Sequence, residues 1–157
     1  MIDVEQMVKD VYSELGPGYS ERVYHNAMEV LLRENRVPYE SERHILVNFR
    51  GHVVGQLRAD IIIDDHEIVE FKTIKTLGEG AELQARNYLH LTGLKTAYLV
   101  NFPPHPGREV EIRKISIKPL EGELSKAFDK IHSHHRSVSV DLTQLLPGAP
   151  ELELDEI

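Results

Sequence analysis

The chain has 157 residues, 41% hydrophobic and 28% charged, with no cysteine. That size suits one domain, or one domain with an appendage, and the composition excludes wholesale disorder, thiolate-held zinc, iron–sulfur clusters, thiol catalysis and disulfide scaffolds. Net charge is −8, which argues against a chain-wide nucleic-acid coat, but residues 119–157 carry 8 acids against 3 Lys/Arg, so an acidic tail masks a more balanced body.

In chain order, Asp3 is a candidate N-cap for a helix ending near Leu15, with Val4, Met7, Val8 and Val11 at helical spacing. Gly16-Pro17-Gly18 closes it. Ser20 is placed to cap a second helix running to about Asn35, with Val23, Ala27, Val30 and Leu31 as its apolar stripe. Arg43 to Arg50 and His52 to Ile63 are rich in β-branched residues and read as strands about a turn at Gly51. Glu67 to Thr73 is a third strand, so a meander is expected. Gly78 and Gly80 bracket a loop before a helix from Ala81 to Thr92, closed by Gly93. Thr96 to Phe102 is a buried strand, and Glu109 to Ile117 is another, with a bulge expected between Ile112 and Ile115. A last helix, about Gly122 to His132, precedes the acidic tail. The whole is an α/β fold, a mixed sheet of about five strands flanked by helices, with residues 1–118 as the domain and 119–157 as a C-terminal helix and tail packed on it. No stretch approaches the ~18 apolar residues of a membrane span, and the N-terminus lacks a signal-peptide layout, so a cytoplasmic protein without membrane contact is expected.

The chemistry concentrates in Arg58 to Thr73, RADIIIDDHEIVEFKT. With a three-residue turn at Asp64-Asp65-His66, Asp60 falls opposite Glu70, about 5 Å apart at Cβ. The strand period of two puts Lys72 on the same face as Glu70. Ile61, Ile63, Val69 and Phe71 make one face apolar, and Ile62 and Ile68 the other, so this strand pair is buried on both sides. Charges there are costly unless paired or bound to a metal, and oxygen ligands favour Mg²⁺ or Mn²⁺. Such a pair with an adjacent lysine suits phosphodiester hydrolysis. An arbitrary Glu-x-Lys is most often a wet strand face; the cross-strand register and two-sided apolarity favour the functional reading here.

Asp60 followed by Glu70-Phe71-Lys72, within an α–βββ–α–β order, resembles the PD-(D/E)xK nuclease superfamily with its restriction-endonuclease-like core. More closely, the chain is similar to the GxxExxY proteins of that superfamily. Their motif stands as Gly18-Tyr19-Ser20-Glu21-Arg22-Val23-Tyr24, accompanied by Gln84 and Asn87-Tyr88-Leu89, then Thr92-Gly93-Leu94-Lys95 leading into Tyr98 to Phe102. The resemblance runs from about Val4 to Ile117. It implies Asp60 and Glu70 as metal ligands, the Phe71 carbonyl as a further ligand, Lys72 as the catalytic lysine, Glu21 as an additional carboxylate toward the metal, and Gln84 as a residue reaching the site from the next helix. Ala59 stands where the superfamily often has proline.

Taken without the resemblance, Glu21 is a first-turn acid favoured by the helix dipole, and Tyr24 and Tyr88 are core residues with a wet hydroxyl. Gln84, Lys75, Arg22 and Arg86 then read as solvated helix or loop residues. His132 and His135 are read as incidental. Tyr24, Lys75 and Arg86 are the candidates for nucleic-acid contact. The function expected is a metal-dependent nuclease acting on DNA, with a protein partner and a homodimer left open. The alternatives are a catalytically silent nucleic-acid or protein binding module on the same fold, and a hydrolase of small phosphoesters.

Overall fold

The computed structural model describes residues 3–117. The expected helix from Gly122 to His132 and the acidic tail lie outside the described residues.

Helix α1 (Val4–Leu15) buries Val4, Met7, Val8 and Val11, and the Asp3 carboxylate accepts the Gln6 N–H at 3.0 Å, so the predicted cap is present. Helix α2 (Glu21–Glu34) differs from expectation in two ways. Ser20 occupies the N-cap position, but its side chain makes no capping bond. The buried stripe is Tyr24, Met28 and Leu32, with Ala27 and Leu31 at its margin and Val30 exposed. The Tyr24 ring stacks flat on Phe102, centroids 4.1 Å apart, and that contact sets which side of the helix faces inward.

Strands β1 (Tyr39–Phe49), β2 (His52–Ile63) and β3 (Glu67–Lys72) form the expected antiparallel meander. β1 starts four residues before the predicted Arg43, because Tyr39 and Glu40 pair with Ile63 and Ile62. Arg50 and Gly51 both take positive φ, 49° and 83°, the handedness a two-residue hairpin turn requires. Helix α3 (Glu79–Thr92) takes Gly80 into its first turn, where sequence placed it in the loop. Gly93 ends it in the left-handed conformation, its N–H bonded to the Leu89 carbonyl at 2.9 Å. Strand β4 (Thr96–Asn101) pairs parallel with β3 through the α3 crossover, and β5 (Glu111–Ser116) pairs antiparallel with β4.

The sheet order is therefore β1-β2-β3-β4-β5, mixed, with α1 and α2 packed on one face and α3 on the other. This is the restriction-endonuclease-like α/β architecture expected. The bulge predicted in β5 is absent: its register with β4 is unbroken from Asn101↔Glu111 to Thr96↔Ser116. Ile112 joins the α1/α2 core and Ile115 the α3 core, so the out-of-phase apolar pattern reflects two buried faces rather than a slip. A bulge does occur between β1 and β2, at Val47/Asn48. Among the described residues no helix is long and apolar enough to cross a membrane.

Candidate active site

The β2–β3 turn is Asp64, Asp65 and His66, and the ladder runs Ile63↔Glu67, Ile62↔Ile68 and Ile61↔Val69. There it stops. β3 continues along β4 through Lys72↔Asn101, while β2 continues along β1 through Ala59↔Arg43. The two strands part where the charges lie, and carboxylates take over from the main-chain ladder. The Asp60 N–H donates to Glu70 Oε1 at 3.1 Å, and the Phe71 N–H donates to Asp60 Oδ2 at 2.8 Å. Sequence expected Asp60 and Glu70 as a direct ladder pair; they are instead cross-linked, each side chain to the opposite main chain. That exchange satisfies two N–H groups that the opening of the ladder would otherwise leave bare.

Burial dominates the electrostatics. Glu70 is 3% exposed, and burial, reinforced by the Asp60 carboxylate, pushes its carboxyl up to about 8. The Lys72 ammonium opposes this rise without cancelling it. Glu21, at the first turn of α2, is also raised, by burial first and by Asp60, against the pull of Lys72 and His25. Glu21, Asp60, Glu70 and Lys72 thus share one electrostatic neighbourhood. A cavity of about 370 Å³ opens beside them, lined by Glu21, Arg22, His25, Glu42, Arg58 and Asp60.

The chain leaving Lys72 is held from behind. The Phe102 N–H donates to the Lys72 carbonyl at 2.8 Å. Asn101 is fully buried and acts like an extra strand: its amide donates to the Ile74 carbonyl and accepts the Ile74 N–H, both at 2.9 Å. Glu111 accepts from the Leu77 N–H at 3.1 Å and from Asn101 at 3.2 Å. Burial works against the Glu111 charge, but Leu77, Asn101 and Arg113 outweigh it and lower its pKa. Sequence reasoning missed this support; a lone Asn in the apolar run TAYLVN was its one signal.

Other expected residues fall into place unevenly. Gln84 is half-buried, and its amide lies 3.4 Å from the Tyr88 hydroxyl, making no hydrogen bond to Asp60, Glu70 or Lys72. Tyr88 in turn donates to the Arg58 carbonyl at 2.8 Å, and burial together with Glu70 and Asp60 pushes its hydroxyl up to about 12. Tyr24 is fully buried, with its hydroxyl donating to the Gly16 carbonyl at 2.7 Å. A ring sealed against Phe102 has no face to offer a base, so Tyr24 is corrected from nucleic-acid contact to core. Lys75 and Arg86 are exposed. His25, missed by sequence, is buried on α2 and stacks on Phe71 at 5.7 Å. Its spacing of four from Glu21 was the available signal.

Residues 2–115 match the PD-(D/E)XK nuclease superfamily. The chain belongs to that superfamily. No curated protein matches it by sequence. Among solved structures, SSO0001 is 23% identical, with 74% of this chain and 59% of that one aligned at a TM-score of 0.48. A protein from Eubacterium rectale, provisionally assigned as an exonuclease, is 16% identical over 85% of this chain and 59% of its own, at a TM-score of 0.39. The alkaline exonuclease LHK-Exo from Laribacter hongkongensis is 11% identical, covering 83% and 75%, at 0.37. This PD-(D/E)XK chain spans 59% of the length of the first two.

Nucleases of the superfamily generally use divalent metals, and the residues present fit such an ion. The donors are oxygens. Asp60 and Glu70 each spend one oxygen on a main-chain N–H and keep the other without a hydrogen bond among the described residues. The buried Glu70 carboxyl is costly as an anion until positive charge arrives. Among the described residues no three His, Asp or Glu side chains are gathered as a ready-made cage. Two carboxylates with the remaining positions left to water and substrate is the Mg²⁺ style of binding.

Proposed function

We propose that this chain is a metal-dependent phosphodiesterase that hydrolyses DNA, and that it belongs with the GxxExxY proteins of the superfamily. Asp60 and Glu70 hold Mg²⁺ or Mn²⁺, with the Phe71 carbonyl and Glu21 as further oxygen donors. The ion, when bound, supplies Lewis acidity at a nonbridging phosphate oxygen and lowers the pKa of a water. Lys72 offsets negative charge growing on the phosphate and orients the attacking water. Glu21, raised by burial, stands ready to take or share a proton at the open side of the site. Gln84 acts from α3 through Tyr88. Lys75 and Arg86 contact the DNA backbone outside the cavity.

The observation that carries this reading is the wedge where β2 leaves β3, with two carboxylates inserted into it and a lysine two residues on. A purely structural site would continue the ladder and avoid a buried carboxyl displaced to about 8. The test is incubation with linear, nicked and single-stranded DNA in Mg²⁺, Mn²⁺ or EDTA, beside Lys72→Ala. Cleavage that needs the metal and falls at least ~100-fold in Lys72→Ala is expected. Metal binding without cleavage of any DNA would turn the reading to a silent binding module or a small-phosphoester hydrolase.

A further inference from the structure

The rim of the cavity carries a second constellation that the hydrolytic residues do not use. Glu42 falls between the pairs Ser41↔Ile61 and Arg43↔Ala59, level with Asp60 on the neighbouring strand. Its backbone takes φ 55°, a left-handed conformation that a non-glycine residue adopts only at a cost. In that conformation one oxygen, Oε1, faces two guanidinium groups, Arg22 at 2.7 Å and Arg58 at 3.6 Å. Both arginines are mostly solvent-exposed, 64% and 58%. Their bases are set independently: Arg22 by the first turn of α2, and Arg58 by β2 and the Tyr88 bond to its carbonyl.

From this convergence of two guanidinium groups on one carboxylate oxygen, beside Asp60 and Glu21, we propose that Arg22 and Arg58 form a clamp for a DNA backbone phosphate next to the one cleaved, and that Glu42 guards it until DNA displaces it. This deepens the function proposed above and rests on it. Paired guanidiniums suit phosphate because their donors match its oxygens and their charge survives at any physiological pH. A carboxylate held between them is the nearest protein mimic of that phosphate. The end of α2 adds to the same field: Ser20 leaves the first turn without a side-chain cap, and the Glu21 and Arg22 N–H groups have no partner among the described residues. Without Glu42 two exposed cations would sit permanently at the mouth of an acidic site and attract any polyanion. With it, only a phosphate that meets both arginines together competes.

The test is fluorescence anisotropy of a labelled DNA duplex with the full chain in EDTA, over a range of salt. Arg22→Ala and Arg58→Ala should each weaken binding several-fold and flatten the log–log salt slope by about one. Glu42→Gln should tighten binding several-fold and lower the preference for DNA over heparin. Lys95→Ala, an exposed cation away from the cavity, serves as the charge-matched control. Calorimetric Mn²⁺ titration and thermal melts of the same variants should be unchanged. Arginine variants no weaker than Lys95→Ala, or a Glu42→Gln protein that binds no tighter, would overturn the clamp, as would wild-type protein that ignores duplex DNA or prefers single-stranded RNA. Loss of Mn²⁺ binding and cleavage in the wild type, with the arginine and Glu42 effects intact, would sink the hydrolase while leaving the clamp standing.

Discussion

Strand β2 is one continuous run with two fates. Its first half, His52 to Gln56, is exposed throughout, with Val54 60% accessible; its second half buries Ala59, Ile61, Ile62 and Ile63. Both halves are rich in β-branched residues, so composition does not separate them. What separates them is cover: the α1/α2 core and the α3 core close over Ile61 to Ile63, but among the described residues nothing buries the hairpin end. The charges collect at the border. Two carboxylates flank Asp60 there, and they diverge. Glu70, on the dry side, is raised to about 8 by burial and by Asp60. Glu42, on the wet side, is lowered, by the Arg22 hydrogen bond above all. A reactive acid cluster needs a dry wall to sharpen its fields and a wet mouth to admit substrate, and β2 supplies both within a few residues.

The largest effect expected is on turnover. Asp60→Asn keeps an oxygen to accept the Phe71 N–H but removes the charge that faces a cation. Cleavage should fall by about 10³-fold, with a melting temperature within a few degrees of wild type. A variant as active as wild type would break the assignment of the border as a catalytic site. Next comes packing. Ile62→Ala, in the dry half, removes a fully buried side chain and should cost about 2–5 kcal/mol in urea unfolding. A cost under 1 kcal/mol would mean that the two halves of β2 are not as different as their exposure indicates.

Glu70→Gln sharpens the dry side through its pH dependence. The folded carboxyl titrates at about 8, against 4.5 for an ordinary glutamate, so the folded state holds its proton more tightly than the unfolded chain does. Its contribution to stability is fully present below pH 4.5 and is lost as the pH rises to about 8, where the buried group finally ionises. Wild type without metal should therefore lose stability relative to Glu70→Gln between pH 5 and 9, by roughly 2–4 kcal/mol. Divalent ions should restore it in wild type alone and release a proton on binding below pH 8. A flat difference between the two proteins across that range would contradict the burial argument.

The hairpin register was legible because turn length and two-sided apolarity constrain each other: Ile61 opposite Val69 leaves Asp60 level with Glu70. The helix caps at Asp3 and Gly93 were legible for similarly local reasons. The opening of the ladder was not, because it depends on β4 claiming the far edge of β3, which is non-local. Glu42 escaped for a related reason. The bulge at Val47/Asn48 shifts the β1–β2 register by one, and without it Glu42 would face Ala59 rather than lie level with Asp60. Nothing in VNFRGHVVG announces that extra residue, whereas β5, where a bulge was expected, only alternates between two buried faces. Tyr24 was misjudged because its partner, Phe102, lies far away in sequence.

The smallest effect belongs to the wet half. Phe49 is 61% exposed at the end of β1, and its one specific contact is the Arg50 guanidinium, 5.4 Å from the ring centroid. An exposed cation–π pair is worth about 0.5–1 kcal/mol at most, and the ring buries little else. Phe49→Ser should therefore change unfolding stability by no more than about 0.5 kcal/mol, an order of magnitude less than the largest cost expected at Ile62 a few residues along the same hairpin. The comparison is strictest in one protein, since both variants leave the turn, the bulge and the carboxylates in place. A loss of 2 kcal/mol or more from Phe49→Ser would mean that the tip is covered in solution, and β2 would then be dry along its whole length.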